Sequence, residues 1–400
     1  MDFLANRLKC IHPSPTLAMT ARAAELKAQG LDVISLSAGE PDFDTPDPIK
    51  QGAVEALNKG QTKYTPIEGT VLLRKAIQEK FLKDNQLSYS LDEITVGNGA
   101  KQVIFNALLA TVQEGDEVII PAPYWVSYPD MVHICSGKSV IVHCGEEDHF
   151  KLTPASLENA ITKQTKWLIL NSPGNPTGRV YLEEQLRELG EVLLRHPHVY
   201  VICDDIYEYL VYDKVAFATL ATVVPNLKNR ILTVNGVSKS YAMTGWRIGY
   251  AGGPKPLIKA ITMIQSHSTS NACSISQAAA VTALSGSHEF ISSWVQTFQF
   301  RRDLALEIIN ATPGLSCFKP EGAFYLYISC EGVMGKKTPR GQLLSTDNEF
   351  VLYLLEEGGI ASVSGDSFGL SPYFRISYAI DTELLREACN RIQKAVLALA

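Results

Sequence analysis

RILTVNGVSKSYAMTGWRIGYAGG, residues 230–253, sets two short apolar runs, RILTV and RIGYAGG, on either side of a loop of small and polar residues. Runs of this length, bounded by glycine and asparagine, read as buried strands. The same pattern extends outward over residues 46–290. Strand candidates EITV, EVII, SVIVH, KWLIL and VYVIC alternate with helix candidates at 49–58, 70–85, 101–112 and 183–195. Such alternation predicts an α/β sheet with helices on both faces. In open α/β sheets ligands gather at the carboxyl ends of the strands.

Beyond residue 291 the pattern changes. A long helix is expected over 292–311, then FKPEGAFYLYIS (318–329), a polar loop near 335–345, a helix, a strand (YFRISYA, 373–379) and a closing helix. At the other end, a helix over 16–29 closed by Gly30 precedes VISLSAG (33–39), which runs into the loop GEPDFDTP (39–46). The expected division is a large domain at 46–290 and a smaller α+β domain made of 1–45 and 291–400.

With 400 residues, 46% hydrophobic and 20% charged, the chain has the composition of a globular protein with a sizeable core. Its formal net charge of -6 disfavours nucleic acid as the main partner, while small anions need only a few local cations. No apolar run is long enough to span a membrane, and MDFLANRLKCIHPSPT lacks the apolar core of a secretory leader. Eight cysteines (10, 135, 144, 203, 273, 317, 330, 389) are scattered without a C-x-x-C pair. They read as buried thiols in a reducing compartment, with neither a disulfide framework nor a metal site, and a cytoplasmic location is expected.

The loop of the opening stretch carries the chemistry. A lysine after a strand is ordinarily solvated, but Lys239 lies among apolar and small residues, eight before Arg247. A lysine of lowered pKa in a protected pocket suits Schiff-base chemistry, and the arginine fork suits a phosphate. In ICDDIYEYL a strand delivers Asp204, Asp205 and then Tyr207. Paired acids could hold Mg²⁺ or cap the next segment, yet no P-loop accompanies them. One could instead keep a pyridinium nitrogen protonated, the charge that makes pyridoxal an electron sink. GNGAKQ sets Gly99 and Ala100 at the start of a helix, where free N–H groups attract phosphate. By itself that is common turn chemistry, as is NSPGNPTG after KWLIL. Trp125 in PAPYWVSYP is ordinarily a core aromatic, and it could also stack on a planar ring.

In combination, AGEPDFDTP, KYTPIEG, PYWVSYPDM, NSPGNPTGRVY, DDIYE, SKSYAMTGWRIGY, PEGAFY and FRISYA make the chain resemble the class I aminotransferases of the pyridoxal-phosphate superfamily. Within them it is most similar to the bacterial aspartate aminotransferase branch that includes thermophilic forms, over residues 8–392. The resemblance implies a mostly parallel mixed sheet between helices (fold type I), pyridoxal 5'-phosphate as cofactor and a homodimer. It implies that Lys239 carries the cofactor as a Schiff base and shuttles the substrate proton. Asp204 would pair with the ring nitrogen, Tyr207 and Asn175 with the 3-oxygen, and Trp125 would stack on the ring. Gly99, Ala100, Ser238 and Arg247 would hold the phosphate, joined by Tyr64 of a second subunit. Arg375, aided by Gly39 and Asn175, would clamp the substrate α-carboxylate, and Lys101 would attract a second carboxylate.

Two positions depart from the pattern. Gly236 stands where some relatives have a phosphate-binding serine, and His12 where close relatives carry a lysine tied to the second carboxylate. The activity implied is ping-pong transfer from L-aspartate to 2-oxoglutarate, with prephenate as a further substrate. Another pyridoxal-phosphate enzyme, such as a β-lyase or an alanine-type aminotransferase, would share Lys239, Asp204 and Arg247. A non-catalytic regulator on the same fold would normally carry an additional DNA-binding segment.

Overall fold

The computed structural model describes residues 3–11, 13 and 15–400; His12 lies outside them. Strands in chain order are β1 (Ile34–Ser35), β2 (Ile94–Gly97), β3 (Glu117–Ala122), β4 (Lys138–His143), β5 (Thr165–Asn171), β6 (Tyr200–Asp204), β7 (Ile231–Gly236), β8 (Gly249–Gly252), β9 (Tyr325–Ser329), β10 (Ile360–Ala361), β11 (Val363–Ser364) and β12 (Tyr373–Ser377). Seven of them form one sheet in the order β2-β8-β7-β6-β5-β3-β4. Its pairings are parallel except at β8, which runs against both β7 and β2.

Every apolar run of 93–253 read as a strand is one, because both faces of this sheet are covered. Val118, Ile120, Trp167, Ile169 and Leu232 enter one core, with the helices Ala100–Thr111 and Lys255–Ser266. Their strand neighbours Ile119, Leu168, Leu170 and Ile231 enter another, with Val71–Asn85 and Glu183–Arg195. Successive side chains point to opposite faces, so a strand buried on both sides must be apolar throughout. Each such aliphatic side chain contributes about 1.5–3 kcal/mol on burial.

The expected helix at 70–85 spans Val71–Asn85, and Thr70 Oγ1 caps it by accepting from the Leu73 N–H at 3.2 Å. Ser127–Ile134 and Ser274–Ser285 are helices without a clear sequence signal. The first holds Pro129 in its opening turn, where a missing N–H is no loss. The second is built on SISQAAAVTALS, whose small side chains make no apolar stripe.

Elsewhere β11-β12-β9 form an antiparallel sheet and β1 pairs with β10. Leu326, Ile328, Phe374 and Ile376 pack there against the helices Glu289–Asn310 and Thr382–Leu397. No helix among the described residues is long and apolar enough to cross a membrane.

The carboxyl ends of β2, β3, β5, β6 and β7 meet at one edge of the large sheet. Because β8 is reversed, its amino end joins them, with Gly249 paired to both Gly97 and Gly236.

Candidate active site

A cavity of about 280 Å³ opens at that edge, and Gly39, Ala100, Lys101, Trp125, Asn175, Asp204, Tyr207, Ser238, Lys239, Arg247 and Arg375 all line it. Residues scattered over more than three hundred positions therefore converge. Tyr64 does not: it is 91% exposed on the surface of its own chain.

Lys239 follows β7 and is partly buried where it lines the cavity. Its Nζ donates to the Gly39 carbonyl at 2.6 Å and lies 5.9 Å from the centre of the Tyr207 ring. Burial pushes its amine from the ordinary 10.5 down to about 8, with Arg247 and Arg375 adding to the effect and Glu40 and Asp204 opposing it.

Asp204 ends β6. Burial lifts its carboxyl from 3.8 to about 6 against a hydrogen bond from Tyr128. The Tyr128 hydroxyl donates to Oδ2 at 2.7 Å, while Oδ1 has no hydrogen-bond partner. A buried, unpartnered carboxylate oxygen is costly unless a donor or cation completes it. Asp205 does not line the cavity; it interacts with Thr219, Glu208 and Lys80 as well as with Asp204, and among the described residues no cluster of three or more His, Cys, Asp or Glu could hold a metal ion.

The anion cradle comes from three segments. Gly99, at φ 89°, caps the helix Ala100–Thr111, whose free N–H groups carry the positive end of the helix dipole. A Cβ on Gly249 would stand 2.0 Å from the Ala100 nitrogen, and one on Gly99 would stand 2.3 Å from Arg247 Nη2. Only glycine permits these approaches. Arg247 donates to the carbonyls of Thr244 at 2.7 Å and Asn98 at 3.3 Å, which aims its fork across the helix start. At Gly236 a Cβ would meet the Ile248 carbonyl and Ile206 Cδ1 at 3.0 Å. A side chain there would need these neighbours to give by a few tenths of an ångström.

Arg375, on β12, is 2% exposed. Nη1 donates to Asn175 Oδ1 at 2.9 Å and Nη2 to the Ser37 carbonyl at 2.5 Å. The rings of Tyr325 and Phe368 lie 4.5 and 5.0 Å from the guanidinium carbon, and Nε has no partner. Lys101 Nζ sits 4.7 Å from the Trp125 ring centre, and burial lowers its pKa, helped by Arg247. Tyr207 shares a 2.8 Å hydroxyl–hydroxyl bond with Tyr325.

Tyr128, Tyr325, Ser37 and Phe368 were not among the sequence candidates. The first two fall inside PYWVSYPDM and PEGAFY, but nothing local to those motifs marks them as site residues.

Four cationic side chains around one carboxylate, one of them a lysine of lowered pKa, give this α/β protein a site at the strand ends that suits small anions. A family model described as "Aminotransferase class I and II" matches residues 31–392, and the chain belongs to that family. The probable aspartate/prephenate aminotransferase of Rickettsia felis is 54% identical over 395 residues, covering 99% of this chain and 97% of the relative. The crystal structure of the aspartate aminotransferase from Rhizobium meliloti superposes with a TM-score of 0.97 at 55% identity, covering 99% of both chains. The Thermus thermophilus aspartate aminotransferase with maleate gives 0.91 at 41% identity, covering 99% of this chain and all of that one.

Proposed function

We propose that this aminotransferase uses pyridoxal 5'-phosphate to transfer the amino group of L-aspartate to 2-oxoglutarate, giving oxaloacetate and L-glutamate. The observation that carries the reading is the bare Asp204 Oδ1 across the cavity from a lysine whose pKa is about 8. A protonated ring nitrogen would complete that carboxylate. The glycine-lined helix start, Ser238 and Arg247 fit a phosphate, Trp125 supplies a flat wall, and Tyr207 and Asn175 offer polar groups to the 3-oxygen. When bound, the cofactor supplies an electron sink for the charge left as the amino acid loses its α-proton.

The chain's own groups do the rest. Arg375 binds the α-carboxylate, its guanidinium plane fixed beforehand by Asn175 and Ser37, so little ordering remains to be done on binding. The Gly39 backbone lies beside it. Lys239 Nζ takes the proton from the substrate α-carbon, a task suited to an amine with a pKa near the working pH. Lys101 attracts the distal carboxylate of four- and five-carbon acids. The maleate in the Thermus neighbour is itself a four-carbon dicarboxylate. The Rickettsia relative's name extends the reading to prephenate, a 2-oxo acid with a second carboxylate on its ring.

We also assign a large cofactor-binding domain to 46–290 and a small domain to 1–45 with 291–400, a division supported by the seven-stranded sheet falling within the first span. A cytoplasmic homodimer completes the proposal. The described cysteines, Cys135, Cys144, Cys203, Cys273, Cys317, Cys330 and Cys389, are unpaired, as in a reducing compartment. An exposed Tyr64 is free to reach a second copy's phosphate site. Sedimentation at twice the 43.8 kDa chain mass is expected, and a monomer would overturn the shared site.

The test is an absorption spectrum of the purified protein. The cofactor band should convert to the amine form with L-aspartate and return with 2-oxoglutarate. A band absent even after incubation with pyridoxal phosphate would remove the cofactor. A band that responds to another amino acid but ignores aspartate would remove the substrate.

A further inference from the structure

Nothing in the proposed reaction uses Tyr128, a buried side chain at the second position of the helix Ser127–Ile134. Its backbone N–H donates to the Trp125 carbonyl at 3.0 Å, and the two rings meet edge-on, 5.3 Å apart at 85°. One helix start thus carries both the aromatic wall of the cavity and the phenol that reaches Asp204 Oδ2 at 2.7 Å. Asp204 is the one carboxylate lining the cavity among the described residues.

We propose that Tyr128 is a positioning residue that keeps Asp204 ionised and turned so that Oδ1 faces the protonated ring nitrogen of the cofactor. The inference rests on the Asp204 assignment made above and adds the group through which that acid is controlled.

The surroundings of Asp204 explain why such a group is needed. Cys203, Asp205 and Tyr207 neighbour it along its own segment, Tyr128 faces it from the adjoining helix, and Lys239 from the loop after β7. Burial favours the protonated acid, and it is opposed by the Tyr128 hydroxyl, the Ile206 backbone and the charge of Lys239. A protonated Asp204 would lack the negative charge that holds a proton on the ring nitrogen. Tyr128 remains a donor throughout, because burial and the neighbouring carboxylate hold its phenol well above the ordinary 10.0. A hydrogen bond to one oxygen also fixes the rotation of the carboxylate and leaves the other oxygen bare.

The test compares two cofactors on the full-length protein: pyridoxal 5'-phosphate, and the analogue in which CH replaces the ring nitrogen. Dissociation constants are measured between pH 5.5 and 8.5 for wild type, Tyr128→Phe and Asp204→Ala. Wild type should prefer the natural cofactor, and Asp204→Ala should lose that preference. If Asp204→Ala keeps it, the Asp204 assignment itself fails. Given its loss, Tyr128→Phe should reduce the preference by roughly ten- to a hundredfold, the weight of a hydrogen bond to a charged group. Affinity for the analogue should change little. Without the phenol the acid protonates more readily, so the pH below which the preference fades should move up. Equal weakening of both cofactors would indicate a general packing defect and overturn the proposal, as would an unchanged preference and pH profile.

Discussion

Lys239 is costly to the fold, and replacing it with methionine should make the cofactor-free protein more stable at neutral pH while abolishing turnover. Its amine falls from 10.5 to about 8, a shift that corresponds to about 3 kcal/mol at roughly 1.4 kcal/mol per unit. The charged form is the one penalised. Between about pH 8 and 10.5 the unfolded chain holds this proton and the folded chain does not, so wild-type stability rises with pH across that window. At pH 7 the folded protein bears nearly the whole penalty, and above the unfolded pKa it bears none. Methionine fills similar volume without a charge, but it leaves the Gly39 carbonyl without its 2.6 Å donor, a loss of about 1 kcal/mol. The net gain of Lys239→Met should therefore be about 2 kcal/mol at pH 7, declining to nearly nothing by about pH 10. Urea unfolding of both apoproteins at equal protomer concentration, followed by tryptophan fluorescence and circular dichroism, reads this difference. The slope with pH decides the matter. A difference that stays flat from pH 7 to 10, or a variant less stable than wild type at pH 7, would refute the buried-charge account.

Arg375→Lys should raise KM for every amino acid by on the order of a hundredfold, since an ammonium lacks the planar fork that grips a carboxylate with two parallel N–H groups while others hold Asn175 and Ser37; an unchanged KM in steady-state assays would remove the clamp. Lys101→Ala should lower kcat/KM for aspartate by roughly ten- to a hundredfold and leave alanine nearly untouched, so equal losses would show that Lys101 does not read the distal carboxylate. Gly249→Ala puts a Cβ where the Ala100 nitrogen stands 2.0 Å away; overpacking of this kind costs about 1–3 kcal/mol. That variant should melt earlier and release the cofactor on dialysis, whereas a fully loaded Gly249→Ala enzyme would argue against the cradle.

The legible and illegible parts of this sequence divide along physical lines. Strands such as β5 and β6 were readable because burial on both faces leaves no polar position to blur them. Lys239 and Arg247 share one loop, so their pairing needed only local sequence. Asp204 and Asp205 show where reading stops. Strand alternation says that adjacent side chains point apart, but which one meets the cavity depends on the register of β6 between β5 and β7. Tyr128 was hidden for a similar reason, since its partner lies 76 residues away, beyond β4, β5 and the helices Pro154–Ala160 and Glu183–Arg195. At Gly236 the sequence shows only that a serine is missing, and the structure adds that a Cβ there would stand 3.0 Å from the Ile248 carbonyl.

The reversed strand ties the fold to the chemistry. Had β8 been parallel, its amino end and Arg247 would lie at the opposite edge of the sheet, far from the helix start at Ala100. Antiparallel pairing with β7 returns the chain to the same edge within one loop, so Lys239 and Arg247 face a single cavity. Their proximity is unfavourable on its own terms, and Arg247 is one of the two groups that push the lysine further down. Arg247 itself sits at φ 56°, a left-handed conformation that costs a non-glycine residue about 1–2 kcal/mol. Like charges and strained backbone persist where the surrounding structure over-determines them. Here the fixing contacts are the carbonyls of Thr244 and Asn98, and a glycine pair that lets the helix start approach. An anion held at the helix start would offset the repulsion between Lys239 and Arg247, so on the proposed reading binding the phosphate end of the cofactor and tuning the lysine would be one electrostatic event.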